Sequence, residues 1–176
     1  MSKIYFVIGV NGVGKSTLIP YLRSALKEED FEVHDFDERG VPDNADREWR
    51  KSETTHWAQL GKDNQEKGIS TIICGYSKAA EIKAAEEVVG SKISVCLLDA
   101  SPEVISARLT NRHTDAKNVE ELSRITGKTP EKFIQDNIWV SDQFREASKE
   151  EGYYILDTTD LTPEQVAGKI VEWLGS

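Results

Sequence analysis

Nine residues near the start of the chain, Gly9-Val10-Asn11-Gly12-Val13-Gly14-Lys15-Ser16-Thr17, have the types and spacing that bind a polyphosphate. The first eight fit G-x-x-x-x-G-K-[ST] at every fixed position. Polyphosphate oxygens are acceptors and need several converging donors. Gly9, Gly12 and Gly14 admit backbone shapes closed to other residues, so successive N–H groups can turn inward. A helix starting at the loop adds its free amides and the positive end of its dipole. Lys15 would reach the β- and γ-phosphates and the Ser16 hydroxyl would ligate Mg²⁺. Asn11, Val13 and Thr17 complete the set of candidate nucleotide contacts.

Other residues could act on a bound triphosphate. Asp35 and Asp37 flank Phe36 at the end of an extended run. Phosphoryl transfer needs a metal to neutralise charge and a carboxylate to orient the nucleophile, and this pair can serve both. Arg108 and Arg112 are four residues apart, hence on one helix face. Arg39, Arg47 and Arg50 could grip a phosphate or carboxylate, and Trp49 or Trp57 could stack on a base. Ile72-Ile73-Cys74-Gly75 lacks the metal-binding aspartate of motor-type and GTPase-type nucleotide-binding proteins. Gly75 instead permits close approach of an acceptor, with Tyr76 beside it. Plainer uses exist for all of these: solvated strand and helix ends, a turn at Gly75, tryptophans in a core.

The elements that must position these residues follow from pattern. Ile4 to Ile8 is a continuous apolar run, a strand buried on both faces. Leu18, Leu22 and Leu26 mark one face of a helix from about Lys15 to Glu29, with Pro20 inside it. Glu32 to Phe36 reads as a second strand, and 39–67 as one or two polar helices closed by Gly68. Ile69 to Cys74 is a third strand, Lys78 to Val89 a helix ended by Gly90, and Lys92 to Asp99 a fourth strand. Ser101 and Pro102 open a helix that ends near Asn111. The segment 112–129 is polar and long enough to be a mobile flap, in which His113, Arg124 and Lys128 could join a lid. A helix from Thr129-Pro130 to about Glu151 carries Phe133, Ile134, Ile138 and Phe144 along one side. Tyr153 to Leu156 is a fifth strand, and Thr162-Pro163-Glu164-Gln165 is a capping box for the last helix. This β-α alternation predicts a mainly parallel sheet covered on both faces.

With 176 residues, the chain is the size of one domain. Hydrophobic content of 38% and charged content of 30% describe a soluble globular protein. No apolar run approaches the roughly 20 residues of a membrane span, and the chain enters its first strand directly, so it reads as cytoplasmic. A net charge of −9 argues against general binding to nucleic-acid backbone. It leaves a nucleotide site untouched, since charges more than about 8 Å away are screened. Cys74 and Cys96 lie in apolar runs, as buried reduced thiols do, and the three scattered histidines offer no metal-ligand spacing.

On the glycine-rich loop, the Asp35/Asp37 pair, the Gly75 exit and the stretch Val95 to Arg112, the chain resembles the small P-loop kinases, the group of nucleoside and nucleotide kinases, shikimate kinase and gluconate kinase. The resemblance implies a three-layer P-loop NTPase fold with a five-stranded parallel sheet in order 2-3-1-4-5 and helices on both faces. It implies a single domain over 1–176, with an acceptor-binding segment at 38–68 and a lid at 112–129. By the same resemblance Asp35 holds Mg²⁺ through water and Asp37 accepts the acceptor's proton. Arg108 stacks near adenine, Arg112 contacts the transferring phosphoryl group, and the loop at Asp157 and Thr158 meets adenine through backbone groups. The implied strand order sets Cys74 and Cys96 two strand spacings apart, beyond disulfide reach.

The expected activity is an ATP- and Mg²⁺-dependent transfer of the γ-phosphoryl group to a small metabolite. Lys15, Asp37 and Arg112 would carry the chemistry, Ser16 and Asp35 the metal, and Asp37, Arg39, Arg50, Gly75 and Tyr76 the acceptor. Asp35 and Asp37 favour a sugar-acid or shikimate-like hydroxyl; the tryptophans and arginines of 39–57 favour a nucleoside or nucleotide. A nucleotide-binding regulatory module without turnover is the rival from another class. A nucleic-acid 5′-end kinase is opposed by the net charge. No membrane or nucleic-acid partner is expected, and oligomeric state is not legible.

Overall fold

Five consecutive buried residues, Ile4–Ile8, form β1, the central strand of the sheet. The computed structural model describes residues 2–43 and 45–175. After β1 come α1 (Lys15–Ala25), β2 (Phe31–Asp35), α2 (Arg47–Glu66), β3 (Ser70–Gly75) and α3 (Ala79–Val89). The second half holds β4 (Ile93–Asp99), α4 (Pro102–Arg112), α5 (Ala116–Thr126), α6 (Pro130–Glu150), β5 (Tyr154–Asp157) and α7 (Pro163–Leu174). The strands order as β2-β3-β1-β4-β5 and all four pairings are parallel. That is the expected order.

Right-handed crossovers put the helices on two faces. The step from β1 to the edge strand β2 runs opposite to the steps through β3, β4 and β5. So α1 lies on one face, where α7 returns to pack on it, while α2 pairs with α3 on the other and α6 packs on α4. Leu18, Ile19 and Leu22 of α1 are buried. Each such side chain contributes about 1.5–3 kcal/mol relative to exposure.

Cys74 and Cys96 both lie opposite Val7, one on each side of β1. Both are free thiols. Burial pushes Cys74 up to about 12 and Cys96 upward as well, so neither is a nucleophile at neutral pH.

Three expectations are corrected. The first helix ends at Ala25 rather than near Glu29, because Leu26 is already extended and the amides of Asp30 and Phe31 turn back to the Lys27 carbonyl. The second strand starts one residue earlier, at Phe31. The polar stretch 112–129, read as long enough to be a mobile flap and without a helix of its own, contains a formed helix, α5. Asp115 caps it by accepting from the Asn118 amide, and Gly127 ends it at φ +68°. Leu122 is its buried contact.

Candidate active site

The phosphate loop and the Asp35/Asp37 pair stand at the carboxyl ends of β1 and β2, where open α/β sheets bind ligands. Residues 9–14 run from β1 to α1. Gly12 and Gly14 take φ of +91° and +102°, in the left-handed region that favours glycine. The start of α1 differs from the other helices. Five of the seven described helices begin with an Asp, Ser or Thr side chain accepting a first-turn amide, and in α3 Glu81 reaches back to the Lys78 amide. α1 begins at Gly14 with no side-chain cap and no acidic residue in its first turn. Its amides are left for an anionic ligand.

Lys15 turns back over the loop and donates to the Val10 carbonyl at 2.8 Å. Desolvation pulls its ammonium down to about 8, Asp37 and Asp35 pull it up, and Arg112 pulls it down. These charges therefore converge on the Lys15 end. The pair at the end of β2 is internally ordered, since the Asp37 amide donates to an Asp35 carboxylate oxygen at 3.0 Å. The Asp37 carboxyl is raised above the ordinary range, first by partial desolvation and then by Asp35, against the pull of Lys15.

Two cavities meet at this edge. One, of about 330 Å³, runs along the loop and α1 between Gly12, Thr17, Arg108, Arg112, Thr158 and Pro163. The other, of about 470 Å³, is bounded by Phe36, Asp37, Trp49, Arg50, Tyr76 and Phe133, and roofed by α5 through Asn118, Leu122 and Ile125. Arg112 lines both, and its guanidinium has no hydrogen-bond or ion-pair partner among the described residues. A free planar cation beside Lys15, on the boundary of two chambers, is placed to meet negative charge passing between them.

The other candidates take these positions. Arg108 reaches the Gly12 and Val13 carbonyls at 3.3 and 3.4 Å and the Thr158 carbonyl at 3.4 Å, tying the loop to the exit of β5. Thr158 lines the loop-side cavity, whereas Asp157 is exposed and accepts the Thr159 amide. Ser16 and Thr17 are exposed at the start of α1. Arg50 lines the larger cavity, lies 5.6 Å from the Tyr76 ring centroid, and is held at 3.4 Å by the buried carboxylate of Glu81. Trp49 lines that cavity, while Trp57 is core and donates to the Phe36 carbonyl. Arg39 lies outside the cavity wall because Glu53 holds it at 3.1 Å. At Gly75 the space a side chain would need is taken: an added Cβ would stand 2.0 Å from the Phe36 Cβ. The glycine leaves room for the Phe36 ring.

Sequence reasoning missed Asn137. It is buried on α6, its side-chain oxygen accepts from both the Asn11 amide and the Asn11 side chain, and its own amide donates to the Phe133 carbonyl. The signal was present: Asn137 falls four residues after Phe133, a polar residue among the apolar ones of that helix face. A second miss is Arg145, which grips Asp99 at the end of β4 with 2.6 and 3.1 Å bonds.

Mg²⁺ favours hard oxygen donors and usually takes one or two protein ligands beside phosphate and water. The Ser16 hydroxyl and Asp35 carboxylate fit that donor set. No group of three or more His, Cys, Asp or Glu among the described residues is arranged to hold a metal. No described helix is long and apolar enough to cross a membrane.

No protein-family profile matches the chain, and no curated protein sequence does. Solved structures do match. A sugar kinase from Janibacter sp. is 21% identical with a TM-score of 0.66, over 99% of this chain and 95% of that one. Shikimate kinase from Acinetobacter baumannii, in complex with shikimate, is 17% identical with a TM-score of 0.62, over 99% and 93%. The APS kinase of Mycobacterium tuberculosis, in complex with AMPPNP and APS, is 14% identical with a TM-score of 0.61, over 99% and 98%. At these identities the likeness is one of architecture: the chain has the fold of the small P-loop kinases.

Proposed function

We propose that this chain is an ATP- and Mg²⁺-dependent phosphotransferase that moves the γ-phosphoryl group of ATP to a small metabolite. The observation that carries the reading is Arg112, unpartnered and shared by the loop-side and acceptor-side cavities. ATP would lie with its phosphates on the 9–17 loop and its base between Arg108 and Thr158. Lys15 and the open amides of α1 would hold the β- and γ-phosphates. Mg²⁺, when bound at Ser16 and Asp35, would neutralise charge on the same oxygens.

Transfer forms a bond from the acceptor oxygen to the γ-phosphorus and breaks the bond to the β,γ-bridging oxygen. That oxygen leaves on ADP with its electron pair, and the acceptor's proton passes to an Asp37 carboxylate oxygen. A carboxyl raised above its usual range accepts a proton more readily than an ordinary surface aspartate, which suits this role. Arg112 and Lys15 would stabilise charge on the phosphoryl group in flight.

A regulatory module without turnover would be expected to fill the acceptor chamber with its own side chains. The space of about 470 Å³ beside Asp37 favours turnover. The test is ADP release from ATP with nucleosides, nucleotides, sugar acids and shikimate as acceptors, followed by a cell extract. Acceptor-dependent release lost in Arg112→Ala supports the reading. Release from no pool, with ATP still bound, overturns it.

A further inference from the structure

We infer that the chain has a second small-molecule site, between α3 and α6, for a monocarboxylate with an apolar aromatic or branched aliphatic body. A cavity of about 410 Å³ lies there, within the range of small-ligand pockets. It shares no lining residue with the two cavities beside the phosphate loop. Small residues leave the space: Ala79 and Ala80 of α3 and Ala147 of α6 line it, with Ile8 and Phe144 as the larger apolar wall. Ile8 and Phe144 belong to the buried core, so an apolar body in this cavity rests on the core and releases water from its wall.

The polar groups around this wall are unspent. Ser148 is 1% exposed and lines the cavity, yet its hydroxyl makes no hydrogen bond among the described residues. The other six buried serine and threonine hydroxyls each make at least one. A buried hydroxyl left open in this way is costly unless a ligand or water meets it. The start of α3 is open as well. Glu81 accepts the Lys78 amide at 2.9 Å, but the Ala79 and Ala80 amides have no acceptor among the described residues. Such a helix start favours an anion. On the rim, the exposed Lys78 ammonium has no ion pair or hydrogen bond among the described residues, whereas its neighbour Lys83 is held by Glu151 at 2.7 Å.

These groups set the ligand's chemistry. One free ammonium and two amides balance a single negative charge, and the Ser148 hydroxyl can donate to a carboxylate oxygen. A phosphate dianion would bring a second charge against an apolar wall with no second free cation to meet it. An amine would face the Lys78 charge and the positive end of α3. The site lies behind the proposed active site rather than in it. Ile8 directly precedes Gly9, and the Phe144 ring meets Tyr76 edge-on at 5.0 Å. Its occupant is therefore neither donor nor acceptor of the phosphoryl group.

The experiment titrates the full chain with 3-phenylpropionate and 4-methylpentanoate, and with 3-phenylpropanamide as the uncharged counterpart. Backbone amide shifts are followed by NMR, without and then with ATP and Mg²⁺. Saturable shifts centred on 78–80 and 143–148 are expected in both series. At least one carboxylate should bind with a Kd of about 1 mM or tighter, the scale for a ligand this small, and the amide at least about tenfold more weakly. Lys78→Ala should weaken carboxylate binding by about tenfold to a hundredfold, and Lys78→Arg should keep most of it. Ala147→Phe, which fills the space, should abolish binding with Tm kept; should that variant not fold, the exposed Lys78 pair carries the test. No saturable shift at these residues, equal affinity for the amide, undiminished binding in Lys78→Ala or in folded Ala147→Phe, or displacement by ATP overturns the inference. None of these outcomes bears on the phosphotransferase reading.

Discussion

The two halves of the candidate site are built from different material. The half proposed for the donor is mostly backbone: turned glycines, uncapped amides of α1, carbonyls tied by Arg108, and the Asn11 amide held by Asn137. The half proposed for the acceptor is mostly side chains, drawn from the ends of β2 and β3, the start of α2, α5 and the start of α6. Backbone sites need a local motif; side-chain sites need distant residues brought together. The first kind is fixed by one loop, and the second can be rewritten by changing rings on a constant frame.

Five measurements break or sharpen this contrast. Lys15→Ala should lower transfer by about 10³ or more at saturating ATP, the scale of losing a donor aimed at developing charge. A change under tenfold would remove the loop from the chemistry. Asp37→Asn should keep ATP affinity, measured by calorimetry, and lose transfer by about 10² or more. If ATP affinity falls instead, Asp37 belongs to the donor half.

The third concerns pH. The Lys15 amine titrates at about 8 in the ligand-free protein, below its ordinary 10.5. The unfolded chain therefore binds more protons between those values, and stability of the free protein should rise with pH from about 8 to 10.5. ATP needs the ammonium, so its affinity should fall above pH 8 by up to about tenfold per unit, with proton uptake on binding. A flat affinity from pH 7 to 10 would show that Lys15 does not hold the phosphates.

The fourth is Asn137→Ala, which strips the Asn11 amide of its acceptor and should cost about 1–3 kcal/mol in urea unfolding, with weaker ATP binding. Unaltered stability and binding would mean that water replaces the side chain. The smallest effect is expected at Arg124→Ala. This cation pairs with Asp43, and both side chains are more than half exposed. Stability should change by under about 1 kcal/mol. A larger loss would make the contact between α5 and Asp43 part of the folded core.

The contrast also explains what the sequence disclosed. The capped helix starts and the loop were legible because each is local, whereas the strand order came from the resemblance to the small P-loop kinases. Gly14 before Lys15 needs no knowledge of the rest of the chain. Asn137, by contrast, acts on a loop 126 residues away, and only its polarity on an apolar helix face betrayed it. α5 was read as a flap because polar residues dominate it, yet its Asp115 cap and its Gly127 stop suffice for a helix with Leu122 as its buried residue, Ile125 staying exposed. Arg39 was grouped with Arg50 on residue type alone. Which carboxylate neutralises which arginine depends on packing of α2 and α3, and no spacing rule reveals it.

Gly75 carries one more consequence. Its hydrogen leaves room for Phe36, which forms part of the chamber floor and fixes its depth. A methyl group added on β3 would have to displace that ring from its place in the chamber wall. One atom on β3 thus decides where a wall ring of the chamber can stand, and neither the loop nor any charged residue would need to change.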